Sequence, residues 1–486
     1  MRKAVHITTL LILGQSSSVL AGAQPSPDVP AERIDAVFAE LNRTDSPGCS
    51  LGVVREGRLI YRKGYGMANL ELHVPMTAQT VGDIGSITKQ FTVMAVLMLA
   101  QEGKLSLDDD VREYVPELRN HSKVITTRHL IHHTSGLRDY ITLLGLAGRD
   151  DSDVVADPEA FALLARQTAL NFTPGERFSY SNSGYILMSL IVKRVSGKTL
   201  PEFAQQRIFT PLGMIHTGMH DDVDLMLVPN RATGHYPRDW PRQSKEMKPA
   251  VYRFKQVGDG GIFTTVEDLA LWDENFYTAQ VGGAALLEQM HVTGVLSDAT
   301  RIAYAGGLTV ERYRGLRRVS HGGGGGGFSS AMTRFPDQHF STIVICNKAI
   351  ANSTGAAQAV ADLYLADAYT EPAPPDEDAE RMRQILKTVA MEDASTEPLS
   401  AAQLASYPGS YWSEDLGMRY RVEAVDRAIR VHIADRVTRP LTWKKGDTFY
   451  MENGFTTIEF ARARTGKVTG FDVRAGEVEL SFSRAR

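Results

Sequence analysis

The ten residues from Phe91 to Ala100 include a single polar side chain, Thr92. A helix that is apolar on all sides cannot face solvent, so this one, expected to run to about Glu102, must be buried at the centre of the fold. It opens at Gly82-Asp83-Ile84-Gly85-Ser86-Ile87-Thr88-Lys89. Ser86 and Lys89 stand three apart and share a face. A cation on the first turn of an apolar helix needs a partner, because an unpaired buried charge is costly. A serine at that turn gains from the positive end of the helix dipole, and an ammonium beside it can hold or accept its proton. Ser-x-x-Lys by itself recurs by chance on solvated helix faces. The buried setting is what makes it a candidate nucleophile.

The rest of the chain is organised around this helix. Residues 31–42 carry Ile34, Val37, Phe38 and Leu41 on one side, which predicts an amphipathic helix. Cys49–Val54, the Glu56-Gly57 turn and Leu59–Tyr61 read as a hairpin. Helical periodicity follows over 158–169, 184–195 and 266–276, then three strands over 317–321, 329–335 and 340–346, and a helix over 355–368. Strands from both ends must therefore meet in one antiparallel sheet with helices on its faces and a helical insertion: an α/β (α+β) architecture. At Glu371–Asp378 three prolines and a run of acids mark a linker. A short helix is expected next, with Met382, Ile385, Leu386 and Val389 in register. From about Tyr407 the texture becomes short alternating strands. Met418, Tyr420 and Val422 face one way, and turns fall at Asn453-Gly454, Thr465-Gly466 and Ala475-Gly476. Eight such segments predict a small antiparallel β-barrel or sandwich.

The length of 486 residues agrees with two domains. Residues 1–23 read as a signal peptide, with Arg2 and Lys3, an apolar centre to Leu13 and Ala21-Gly22-Ala23 for cleavage. The expected division is 1–23 signal peptide, 24–370 catalytic domain, 371–398 linker and short helix, and 399–486 barrel, in a protein that is exported, periplasmic or secreted. A net charge of −4 gives no sign of a nucleic-acid partner, and no stretch is long and apolar enough to span a bilayer. Cys49 and Cys346 allow one disulfide or two buried thiols, and are too few for a metal site by themselves. No cofactor is expected.

Two further stretches complete a candidate site. Tyr180-Ser181-Asn182 follows the Pro174-Gly175 turn, and a phenol beside an ammonium becomes a usable base. His321 is followed by six glycines, which leave backbone N–H groups free to donate. Ser86-x-x-Lys89, Tyr180-x-Asn182 and His321-Gly322-Gly323, in this order, resemble the serine hydrolase family of class C β-lactamases, low-molecular-weight penicillin-binding proteins, D-aminopeptidases and related esterases. Tyr65–Asn69, His133–Leu137 and Gly260–Asp268 also look like that family, over roughly residues 30–368. Residues 407–486 resemble a lipocalin-like module that some members carry. Arg464-Thr465-Gly466 looks like the family's Lys-Thr-Gly motif but falls in a barrel turn.

The resemblance implies acyl transfer. Ser86 is the nucleophile, with Tyr180 and Lys89 as coupled proton handlers whose division of labour stays open. Asn182 anchors Lys89 and the substrate, and His321 and Gly323 form the substrate-binding strand. The oxyanion sits between the N–H groups of Ser86 and Gly324. His133 is expected to be structural. The resemblance also makes the first and last strands of the sheet neighbours, which would bring Cys49 and Cys346 together. His321-Gly322 stands where β-lactamases of this group have Lys-Thr, which removes a fixed charge and a hydroxyl. Bulkier residues are usual near 325 and 326, so the glycine-lined rim is expected to be mobile. The leading expectation is an exported hydrolase of small esters or D-residue amides and peptides. A β-lactamase or D,D-peptidase acting on cell-wall-type substrates, or a non-catalytic penicillin- or peptidoglycan-binding protein, are the alternatives.

Overall fold

The computed structural model describes residues 30–221, 227–239, 246–375, 383–384, 387–388, 390–391, 393–395, 397–451 and 454–485. The expected signal peptide, and Met382, Ile385, Leu386 and Val389 of the helix expected after the linker, lie outside the described residues.

Six strands form the main sheet: β1 (Cys49–Arg55), β2 (Arg58–Tyr65), β3 (Thr309–Tyr313), β4 (Leu316–Gly325), β5 (Phe328–Phe335) and β6 (Phe340–Cys346), in the order β3-β4-β5-β6-β1-β2. All neighbours are antiparallel, so the two ends of the N-terminal unit meet at β1 and β6. In this register Cys49 lies opposite Cys346, and a disulfide joins them. Side chains alternate between the faces of β6, as a strand requires. Phe340 and Val344 pack with Ile34, Phe38, Val360 and Leu365 from α1 (Ala31–Val37) and the helix Ser353–Leu365. Ile343 and Ile345 point the other way, into the main core with Phe91, Leu269 and Trp272.

That core surrounds α2 (Lys89–Gln101), whose residues from Lys89 to Leu99 are all buried. A 3-10 turn, Gly85–Thr88, precedes it and carries Ser86. The first helix is shorter than its pattern predicts, ending at Val37, although Phe38 still reaches the core. Two further corrections concern β3 and the glycine run. β3 was not anticipated: Glu311 and Arg312 break the alternation, as an edge strand tolerates. The strand expected over 317–321 runs on through the glycines, with Gly322–Gly325 paired in register to Ala331–Phe328. β3 begins opposite Ser320, so among the described residues the outer edge of residues 321–325 has no strand partner.

The C-terminal strands run from Gly409–Ser413 to Val478–Arg484 and form a closed eight-stranded barrel. Each pairs with the next in sequence, and the first closes on the last through Tyr411↔Arg484 and Trp412↔Ser483. Tyr407, Tyr411, Tyr420, Phe460, Phe471 and Phe482 fill its interior with ring-to-ring contacts. The barrel is docked on the helical insertion. Tyr420 donates from its hydroxyl to Leu146 O. Arg138, buried, bridges to Asp415 at 3.1 Å and donates to Glu479 O at 2.9 Å.

Candidate active site

Two backbones meet at the site. Gly85 has φ +48°, and a Cβ there would lie 2.5 Å from Gly324 N; a Cβ at Gly323 would lie 1.9 Å from Ile84 O. Only glycine permits this approach, which sets the Gly323-Gly324 backbone directly against the turn that carries Ser86. Ser330 Oγ, donating to Ile84 O at 2.8 Å, holds the turn from below.

Lys89 is fully buried yet satisfied. Its Nζ is 2.9 Å from each of Ser86 Oγ, Asn182 Oδ1 and Asp259 O. Asn182 donates from N and Nδ2 to Asp139 Oδ2, at 2.7 and 3.0 Å, which leaves its Oδ1 facing the lysine. Asn182 Oδ1 and Asp259 O only accept, so two of the three Nζ contacts must be donated by lysine. The contact to Ser86 Oγ is the one through which a proton can pass either way.

Tyr180 is 41% exposed, and Lys89 Nζ lies 4.9 Å from its ring centroid. The ring packs on His133 at 4.2 Å. His133 Nδ1 accepts the Ser181 N–H at 3.1 Å, and burial, reinforced by the charge of Lys89, holds this imidazole well below its ordinary pKa. It is a neutral support for the Tyr180–Asn182 segment.

His321 is half-buried at the start of the glycine run. Its Nδ1 lies 2.6 Å from Gly322 O and its Nε2 2.9 Å from the Tyr304 hydroxyl. A carbonyl only accepts, so Nδ1 carries the proton and Nε2 accepts from Tyr304. Burial, followed by repulsion from Lys89, lowers its pKa to about 4 against the opposing pull of Gly322 O. Near pH 7 this position therefore carries no charge.

The structure thus brings Ser86, Lys89, Tyr180, Asn182, His321, Gly323 and Gly324 to one locus. Cys49 and Cys346 lie at the β1–β6 junction as a disulfide. Asp139, Asp259 and Tyr304 also belong to the locus but were not singled out from the sequence. The first two sit beside stretches that were: Asp139 two residues after Leu137, and Asp259 immediately before Gly260. Tyr304 had no local signal. The barrel also reaches the site. A cavity of about 360 Å³ is lined by Asp139, Tyr180 and Asn182 on one side and by Phe455, Gly476 and Glu477 of the barrel on the other. Arg177 clasps Glu477 at 2.8 Å on its rim. Among the described residues no cluster of His, Cys, Asp and Glu could hold a metal ion.

A family model described as Beta-lactamase matches residues 34–367. A D-aminopeptidase of Brucella anthropi is 30% identical over 301 residues, 62% of this chain and 56% of that protein. A D-aminopeptidase of Gluconobacter oxydans is 29% identical over 330 residues, 68% of this chain and 61% of the relative. The chain thus spans little more than half the length of these curated relatives. An octameric penicillin-binding protein homologue from Pyrococcus abyssi superposes with a TM-score of 0.62 at 24% identity, over 93% of this chain and 100% of that one. The D-amino acid amidase of Ochrobactrum anthropi SV3 does so at 0.59 and 20% identity, over 70% of this chain and 99% of its own. At these identities the two structures speak for the fold.

Proposed function

Because the chain belongs to the β-lactamase family, we propose that it is a serine acyl hydrolase working through an acyl-enzyme on Ser86. The observation that carries this reading is the saturated Lys89 ammonium, held by Asn182 and Asp259 with its third contact on Ser86 Oγ. Ser86 Oγ attacks the substrate carbonyl as its proton passes to the Tyr180–Lys89 pair. The N–H groups of Ser86 and Gly324 receive the oxyanion. Tyr180 returns the proton to the leaving alcohol or amine, and water then releases the acid by the same route in reverse.

The substrates we propose are small esters and amides or peptides bearing D-residues. The D-aminopeptidase relatives support the second class. The uncharged His321 supports both over a β-lactamase or D,D-peptidase, whose third motif grips a carboxylate with a fixed cation. We also propose export, supported by the N-terminal charge and apolar pattern and by a disulfide, which persists in oxidising compartments. Steady-state hydrolysis of a chromogenic ester by Tyr180→Phe and Lys89→Ala tests the chemistry. Each is expected to lose on the order of 10²-fold or more in kcat, the usual worth of a proton-transfer group. Near-normal turnover by Tyr180→Phe would remove the phenol from the mechanism.

A further inference from the structure

The lysine beside the nucleophile is held through two acceptors, and one short segment with no part in the chemistry above holds both. That segment is Arg138-Asp139-Tyr140. Its backbone is laced to the start of the helix Ser183–Ser196: Ser183 Oγ accepts the Tyr140 N–H at 2.8 Å and donates to Arg138 O at 2.6 Å. Asn182, just before that helix, is thereby set against Asp139, whose Oδ2 accepts Asn182 N at 2.7 Å and Nδ2 at 3.0 Å. One residue on, the hydroxyl of Tyr140, a residue only 1% exposed, donates to Asp259 Oδ2 at 3.1 Å. Burial, then the charge of Asp259, holds this phenol well above its ordinary pKa, so it stays a donor.

These contacts reach Lys89 from two sides. Asn182 passes on the hold of Asp139 through its Oδ1, and Asp259 passes on that of Tyr140 through its backbone oxygen, each 2.9 Å from Nζ. None of the three hydrogen bonds of this fully buried ammonium goes to a carboxylate. A buried cation without a counter-charge is costly. Asp139 supplies one at one remove: its carboxylate only accepts, so Nδ2 of Asn182 turns to it, and the polarised amide presents Oδ1 to the ammonium. Asp139 also caps the helix Tyr140–Leu146, its Oδ1 accepting Ile141 N and Thr142 N, both at 3.1 Å. Capping alone does not need the acid, because Asn caps a helix as well as Asp. Serving the helix and Asn182 at once does, because a neutral amide has a single acceptor oxygen.

We propose that Asp139 is a positioning residue for the reaction, with Tyr140 as its second jaw: through Asn182 and Asp259 the pair holds Lys89 Nζ on Ser86 Oγ. The inference rests on the acyl-hydrolase reading and deepens it. Neither side chain acts on the substrate carbonyl. Their removal lets Nζ drift from the serine, so the loss falls on the chemical step and not on substrate binding. Because the effect runs through the lysine, it disappears where the lysine is absent.

The test uses the full chain and two readouts: steady-state hydrolysis of a small chromogenic ester, and the rate at which a fluorophosphonate labels Ser86. Asp139→Asn is expected to lose about 10- to 100-fold in kcat with KM nearly unchanged, the scale of a misplaced reacting group, and labelling is expected to slow alike. Tyr140→Phe is expected to slow both readouts in the same sense. In a Lys89→Ala background, Asp139→Asn is expected to slow labelling by less than about twofold more, as a contribution made through Lys89 requires. Wild-type kcat in Asp139→Asn, a loss confined to KM, or an equal slowing with and without Lys89 overturns the proposal. Should Asp139→Asn not fold, Tyr140→Phe with and without Lys89 decides by the same three outcomes. A wild type that does not label at Ser86 overturns the hydrolase reading itself.

Discussion

Asp415 is the residue through which the barrel and the catalytic unit are most tightly joined, and Asp415→Ala tests that joint. Its carboxylate meets Arg138 at 3.1 Å, with the side chains 10% and 8% exposed. Its Oδ1 also accepts from Thr168 N and Oγ1, at 2.6 and 2.7 Å. Removing the carboxylate leaves Arg138 buried with Gln167 Oε1 and Glu479 O as its remaining partners, both neutral. Breaking one side of a buried pair costs about 3–5 kcal/mol, chiefly from the stranded charge. In a protein of this size, with an unfolding entropy of about 2.1 cal/mol/K per residue, that lowers the melting temperature by about 3–5 °C. Differential scanning calorimetry reads the shift, and Arg138→Met in the Asp415→Ala background should recover part of it because no charge is then stranded. The barrel turns line the active cavity, so kcat/KM for bulky esters should change more than for methyl esters. A shift within about 0.5 kcal/mol, the range of an ordinary surface substitution, would refute the argument that this pair holds the two units together.

Three further outcomes follow from the geometry. Replacing His321-Gly322 by Lys-Thr should increase acylation by penicillins, which bear a carboxylate, because it restores a fixed cation on the β4 edge; an unchanged rate in a variant that still cleaves esters would mean that position 321 does not face the carboxylate. Burial and Lys89 both disfavour the His321 imidazolium, so its proton leaves at lower pH than in a free imidazole. Histidine NMR should show a resonance, absent in His321→Asn, that titrates near pH 4, and a midpoint near 6.5 would contradict the buried, Tyr304-bonded ring. A chain ending near Thr370 should fold and still acylate Ser86, with a lower melting temperature but a smaller loss than Asp415→Ala causes, since Arg138 then reaches water; a well-folded truncation that fails to acylate would show that the barrel completes the site.

Local physics made much of this molecule legible from its residues. The apolar run after Lys89 could only be a central helix, and the period-2 pattern after Tyr407 could only be strands with one buried face. The two kinds of element left unread depend on distant partners. Six glycines carry no periodicity, and the first four, Gly322–Gly325, become strand only because Phe328–Ala331 pair with them and Ile84-Gly85 press against them. The barrel's place on the cleft follows from Arg138 meeting Asp415 and Arg177 meeting Glu477, pairs hundreds of residues apart with no local signature. Asp259 escaped notice for the same reason: its backbone oxygen, not its side chain, holds Lys89.

The central claim is that Ser86 forms the acyl-enzyme. Intact-mass and peptide-mapping spectrometry of protein quenched with acid during turnover of a small activated ester tests it most directly. The account predicts one added acyl group, on the peptide carrying Ser86, that decays when substrate is exhausted and is absent from Ser86→Ala. An acyl group on another residue, or turnover of the ester by Ser86→Ala at the wild-type rate, would contradict it.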